Sequence, residues 1–184
     1  MSRIQIGEKL PDFTVDTQDQ NNVTLHGLLK GKTVLRVLRY IGCPSCRVDV
    51  HEIAVRYEEF TKRGAQVLVV MQSTQKNLTD ALAGEELPLS IVCDPDRAIY
   101  KALAIPVAAD KEELRGPDAA AMLAIRDKVQ ALGYAHGLYE GDELQLPAMF
   151  IADQDGTVLY AHYATAIPDM PSVDEVLAIL DGLA

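Results

Sequence analysis

The strongest constraint on this chain is an alternation. Three apolar runs of strand length, residues 33–40 (TVLRVLRY), 65–72 (AQVLVVMQ) and 89–93 (LSIVC), are each followed by a stretch with helical character. Runs this short and this rich in Val, Leu and Ile suit strands buried on both faces, and strands separated by helices pair in parallel through crossovers. After the first run, Val50, Ile53, Tyr57 and Phe60 recur at three- and four-residue steps, with Asp49, Glu52, Arg56 and Glu59 largely elsewhere on the wheel. That spacing predicts an amphipathic helix ending at Gly64. Ser73 or Thr74 caps a second helix through Ala83, and residues 97–103 make a third.

Residues 105–146 break the alternation. They carry 119–132, a strongly helix-forming stretch with Gly116-Pro117 before it and Gly133 after it, and are predicted to be a helical insertion. A strand from Pro147 to Ala152 comes next, then an Asp155-Gly156 turn and a second strand over 157–163. Ser172 stands three residues before Glu175, a capping-box spacing, and opens a last helix with Val173, Val176, Leu177, Leu180 and Leu183 on one side. Residues 7–13, containing Pro11, are expected as an extended arm. The predicted fold class is α/β, a mixed central sheet flanked by helices, with 184 residues forming one domain over 1–184 and the insertion at about 105–146.

Charge narrows the partners. Lys+Arg number 17 against Asp+Glu 27, a formal net charge of −10, which opposes non-specific attraction to nucleic acid or an anionic membrane. The amino terminus, MSRIQIGEKLPDF, lacks a basic segment leading into an apolar one, and no window approaches the roughly 20 apolar residues of a membrane span. The expectation is a soluble, cytoplasmic protein without nucleic-acid or membrane partners. Three cysteines are too few for a disulfide scaffold and point to thiols with individual roles.

The sharpest chemical signal is Cys43-Pro44-Ser45-Cys46, placed where a buried strand hands over to an amphipathic helix. Unpaired N–H groups and the helix dipole favour negative charge at that end, so a thiol there tends towards thiolate. Cys43 is placed to benefit, at an exposed mouth, whereas Cys46 shares the buried face of Val50, Ile53 and Tyr57. The division predicted is that Cys43 attacks and Cys46 resolves. Pro44 is tolerated in the first turn, where its missing N–H has no helical partner. Arg39 and Arg47 bracket the pair, and a guanidinium near Cys43 lowers its pKa or holds an oxygen of an oxidant. Arg39 is the nearer candidate; a solvated first-turn position fits Arg47. Arg36, inside an apolar strand, is at an edge, paired with a carboxylate, or directed at the site. Cys93 ends a buried run and is expected to be inert. His26, His51, His136 and His162 show no ligand spacing with the cysteines, so neither a metal nor a cofactor is expected. At Pro147 a cis bond and an ordinary strand-start proline both fit.

Several segments resemble the thioredoxin-fold proteins, and within them the peroxiredoxin-like AhpC/TSA group. IGEKLPDFTVDTQDQNNVTLHGLLKGKTVL is similar to the group's opening, LRYIGCPSCR to its redox segment, and GAQVLVVMQST to the group's next strand. LPLSIVCDPDRAIYKAL resembles its strand-Asp-Pro-helix segment and LPAMFIADQDGTVLYAHY its cis-proline strand and hairpin, so the likeness spans nearly the whole chain. The resemblance implies a thioredoxin-like fold with Pro147 cis and lying against Cys43 and Cys46. It also implies a thiol-based oxidoreductase and an antioxidant role. Some positions depart from it: where such proteins carry Pro and Thr, seven and three residues before the attacking cysteine, this chain has Arg36 and Tyr40. Where they carry a later-strand arginine, it has Pro147. The departures remove the usual peroxide-activating pocket and are expected to slow peroxide reduction, with Arg39 a partial substitute.

The expected activity is reduction of hydroperoxides or disulfides through a Cys43–Cys46 dithiol cycle, with Cys43, Cys46, Arg39 and Pro147 at the site. A thioredoxin- or glutathione-type reductant closes the cycle, and a homodimer is compatible with the sequence. The competing reading is a C-x-x-C module that binds metal or senses redox state without turnover. A metal site would stabilise folding where a redox pair needs none.

Overall fold

The computed structural model describes residues 2–183, so the one-domain reading over 1–184 includes two residues, Met1 and Ala184, that lie outside the described part. The chain opens with an arm whose Gly7 and Leu10 N–H groups donate to the Val158 and Gly156 carbonyls. Strands β1 (Thr14–Thr17) and β2 (Val23–Thr24) and a single helical turn α1 (Leu25–Leu28) come next. Then come β3 (Lys32–Val37), helices α2 (Pro44–Val55) and α3 (Tyr57–Thr61), β4 (Ala65–Met71), α4 (Gln75–Leu82), β5 (Ser90–Cys93) and α5 (Ala98–Ala102). The intervening stretch carries α6 (Lys111–Arg115) and α7 (Ala119–Ala131), and the chain finishes with β6 (Ala148–Ala152), β7 (Val158–Tyr163) and α8 (Val173–Gly182).

The strands form one seven-stranded sheet in the order β2-β1-β5-β4-β3-β6-β7. Within it β3, β4 and β5 run parallel, and β6 joins β3 antiparallel, Leu35 opposite Phe150 and Arg36 opposite Met149. Side chains alternate sides along a strand, and here both sides are buried. Val34, Val67, Val69 and Ile91 pack under α2, α4 and α8, while Leu35, Leu68, Val70 and Val92 pack under α1 and α5. The apolar runs in the sequence are uninterrupted for this reason.

Local signals read correctly include the Ser172–Glu175 capping box of α8 and Thr74 as the cap of α4, its side chain accepting from Asn77 N–H at 3.2 Å. The predicted single helix up to Gly64 is instead two. Arg56 leaves helical geometry at φ −111°, ψ 15°, and its guanidinium ties Glu59 to Asp174 of α8. The Leu146–Pro147 bond is not cis; no described peptide bond is. Leu146 N–H donates to the Pro106 carbonyl and the Pro147 carbonyl accepts from Ala164 N–H, so the chain enters β6 already extended. Such a path requires no reversal, and the trans form is then the lower in energy.

Arg36 is buried in β3 and makes a two-pronged pair with Asp49 of α2, both contacts at 2.7 Å, while its remaining nitrogen donates to the Pro171 carbonyl at 2.8 Å. Of the three placements considered, it is paired with a carboxylate, and it also lines the cavity beside Cys46. This pair fixes the rotation of α2, and hence of the two cysteines, relative to the sheet. Removing one partner leaves a buried uncompensated charge, so Asp49→Ala should destabilise the fold by about 3 kcal/mol in urea unfolding, whereas Arg36→Met with Asp49→Leu should lose far less. A loss under about 1 kcal/mol in the single variant would mean that water, not Asp49, solvates Arg36.

Candidate active site

Beyond β3 the chain continues alongside β4, Leu38 N–H donating to the Val70 carbonyl and Gln72 N–H to the Arg39 carbonyl. It then turns through Ile41 and Gly42 into α2. Cys43 is the N-cap of α2 with extended backbone, and Pro44 takes the first helical position. The thiol therefore sits beside the unpaired N–H groups and the positive end of the helix, as the spacing predicted.

Three polar groups converge on the Cys43 sulfur. Arg39 Nη1 lies 3.3 Å from Sγ and the Ser45 hydroxyl 3.1 Å from it. The Cys46 thiol, one helical turn on, is the third. The Cys43 pKa is pushed down to about 5: the hydrogen bond from Cys46 lowers it most, burial opposes, and the Arg39 charge and the Ser45 hydroxyl lower it further. Cys46 moves the other way, raised by burial and by its bond to Cys43. One thiolate and one thiol thus share the pair near neutral pH. Arg39 is itself buried, 8 % exposed, and its charge is retained because burial is outweighed by the two sulfurs. A second guanidinium nitrogen of Arg39 donates to the Glu143 carbonyl, and Nε has no hydrogen-bond partner among the described residues.

Cys46 is buried, as expected, but Cys43 is buried as well. Cys43 is not at an exposed mouth: it is 1 % exposed, because residues 134–145 fold back across the Gly42–Cys43 junction. Gly137 N–H donates to the Gly42 carbonyl at 2.8 Å, and a Cβ on Gly42 would overlap the Leu138 carbonyl oxygen. Only glycine permits this backbone-on-backbone approach. The Tyr40 hydroxyl, at a position where the resemblance places threonine, is 3.1 Å from His136 Nε2. Cys46, 5 % exposed, lines a cavity of about 240 Å³ between α2, α7 and residues 167–173. Arg39, Ser45 and Pro147 line it too, so Pro147 shares a cavity wall with Cys46, and its bond is trans.

Other candidates fall elsewhere. Arg47 is half-buried on α2, pairing with Glu85 at 3.2 Å and stacking 4.6 Å over the Tyr134 ring. Cys93 ends β5 remote from the pair, and burial, with Asp16 and Glu140 nearby, pushes its thiol up to about 12. Among the described residues no group of three or more His, Cys, Asp or Glu is placed to hold a metal ion. Reading single residues missed His136, Glu140 and Glu143. The one signal for them was the run of glycines at 133, 137 and 141 just before a buried strand, which marks close backbone approach.

A cysteine pair at a helix N-terminus, packed on a mixed sheet, is the arrangement of a thiol oxidoreductase of thioredoxin-like architecture. Residues 6–161 match the AhpC/TSA family, and the chain belongs to it. Over 117 residues it is 26 % identical to peroxiredoxin bcp of Helicobacter pylori strain J99, covering 62 % of this chain and 77 % of that protein. The peroxidoxin BcpB structure from Mycobacterium tuberculosis superposes with a TM-score of 0.69 at 14 % identity, covering 99 % of both chains. A peroxiredoxin-like protein from Aquifex aeolicus gives 0.67 at 16 %, covering 100 % of this chain and 90 % of that one. The protein is thus a thiol-dependent oxidoreductase of the peroxiredoxin-like kind.

In a Cys93→Ser background that keeps Cys46, alkylation at Cys43 by iodoacetamide, mapped by mass spectrometry, should reach half its maximal rate near pH 5. Arg39→Met, which removes the adjacent charge, should move that midpoint up by about one unit or more. An unmoved midpoint would assign the depressed pKa to Cys46, Ser45 and the helix end instead.

Proposed function

We propose that this protein reduces hydroperoxides, with Cys43 as the attacking thiolate and Cys46 as the resolving thiol. The observation that carries this reading is the Arg39 guanidinium 3.3 Å from a sulfur that is almost fully enclosed. An enclosed thiolate beside a fixed cation favours a small oxidant whose oxygens develop negative charge as the bond breaks. Arg36, held by Asp49, is not free for that task, and Arg39 takes it. A protein disulfide, the other substrate compatible with the cysteine pair, would have to displace residues 136–140 to meet Cys43.

In the proposed cycle the Cys43 thiolate attacks one peroxide oxygen and the O–O bond breaks. The leaving oxygen departs as alkoxide or hydroxide and takes up a proton. Cys43 becomes a sulfenic acid, and the peroxide has gained two electrons. Cys46 then attacks the Cys43 sulfur, a disulfide forms and water leaves. Cys43 is the N-cap of α2 and Cys46 its third residue, so this step asks only for a local opening of the first turn. Pro147 serves as a wall that holds the cavity beside Cys46. A thioredoxin- or glutathione-type thiol supplies two electrons and restores the pair, which suits the reducing cytoplasm.

Anaerobic stopped-flow mixing of the reduced protein with hydrogen peroxide tests this directly. The expected rate exceeds that of a free thiol by orders of magnitude, disappears in Cys43→Ser, and in Cys46→Ser persists for one turnover that ends at a trappable sulfenic acid. A merely thiol-like rate would remove peroxide as the substrate and leave disulfide exchange.

A further inference from the structure

Residues 134–145 have no regular secondary structure, yet polar contacts at Glu140 and Asp142 hold them down. Glu140 is the main anchor. Its carboxylate accepts from the Ser73 hydroxyl at 2.7 Å, the Asn77 side-chain amide at 2.7 Å and the Thr74 N–H at 3.1 Å, seating it on the first turn of α4. Two residues on, Asp142 N–H donates to Gln72 Oε1 at 2.7 Å and the Asp142 carboxylate pairs with Arg97 at 2.9 Å. Just before Glu140, Leu138 and Tyr139 are 69 % and 59 % exposed, so little apolar burial keeps that part of the stretch in place. A segment fixed by a few polar contacts and not by a core opens at lower free energy than the elements around it.

We propose that residues 134–145 form a strap that limits the size of the oxidant reaching Cys43, and that Glu140 determines this specificity by holding the strap down. The proposal rests on the reading of Cys43 as the attacking thiolate. With the strap seated, Gly42 and Gly137 are in backbone contact beside Cys43, and a cavity opens at Cys46 and at Arg39 and Ser45, the two groups that touch the Cys43 sulfur. An oxidant of two oxygen atoms passes such an approach. A disulfide carrying bulky groups on both sulfurs does not, since in-line attack needs space on either side of the bond. Glu140 touches neither Cys43 nor Arg39, and the backbone contacts of Asp142 with Gln72 and of Glu143 with Arg39 do not involve it, so its loss frees the stretch over Gly42 and leaves the thiolate's own partners in place.

The test uses the full chain with Cys46→Ser and Cys93→Ser, leaving Cys43 as the one thiol. Dithiobis(nitrobenzoate) is a bulky aromatic disulfide. Cys43 attacks one of its sulfurs, the S–S bond breaks, a mixed disulfide forms and one coloured thiolate is released. Glu140→Gln should raise the rate of that release by about tenfold or more, while the rate with hydrogen peroxide changes by less than about threefold. Asp142→Asn, a second anchor, should act in the same direction and covers the case in which the first variant fails to fold, checked by circular dichroism. Equal acceleration of both oxidants, no acceleration of the aromatic disulfide in a folded variant, or a parent protein that already reacts with it as fast as an unfolded thiol would each overturn the proposal. If the peroxide rate is thiol-like throughout while the aromatic disulfide responds as expected, the strap stands and the peroxidase reading fails.

Discussion

A thiolate enclosed by protein must be compensated within contact distance, because an isolated charge in a low-dielectric interior is costly. Much of this molecule is arranged to meet that condition at Cys43. The helix end supplies dipoles, Ser45 a hydroxyl and Arg39 a full charge. Arg39 is in turn buried and must be held. Its backbone carbonyl accepts from both the N–H and the side-chain amide of Gln72, and its guanidinium donates to the Glu143 carbonyl. The cation is therefore fixed by β4 on one side and by the strap on the other, which places the pieces of the site under the control of the whole sheet.

The sheet can do this because both of its faces are packed. Interiors at crystal-like density have few alternative arrangements, so the end of β3 and the start of α2 keep their relative position. The Arg36–Asp49 pair adds a rotational constraint that apolar packing does not supply, since its two-pronged geometry admits one orientation of α2. Two arginines three residues apart thus divide the work. Arg36 orients the helix that carries the cysteines, and Arg39 faces the sulfur. The strap differs in kind: it is irregular and polar in its attachments, and its outward residues are exposed. Rigid scaffold and loosely held cover are adjacent, and the reactive sulfur lies between them.

Much of the fold was legible in the residues because its signals are local or periodic. Uninterrupted Val and Leu runs announce strands buried on two faces; Ser172 and Glu175 announce a cap; Asp155-Gly156 announces a turn. The break at Arg56 was not legible, because the periodicity of Val50 to Phe60 continues across it and the interruption accompanies an ion pair to Asp174, over a hundred residues away in the chain. The trans bond at Pro147 was hidden for a similar reason, its partners Pro106 and Ala164 being distant in sequence. At the site, Cys43, Cys46 and Arg39 were legible from their spacing around a strand-to-helix junction. The burial of Cys43 was not legible, since helix geometry ranks residues on one helix and says nothing of what a later segment lays over it.

By itself, then, the sequence determined the class of chemistry: a thiol at a helix N-terminus, a second thiol one turn on and an arginine just upstream, all within the reach of short-range geometry. Only the tertiary structure decided how that chemistry is enclosed. The strap, its anchor at Glu140, the Glu143 carbonyl on Arg39 and the cavity walled by α7 come from residues about a hundred positions from the cysteines. Their placement depends on closing a long loop against the sheet. That loop's cost is met by contacts which no local pattern records.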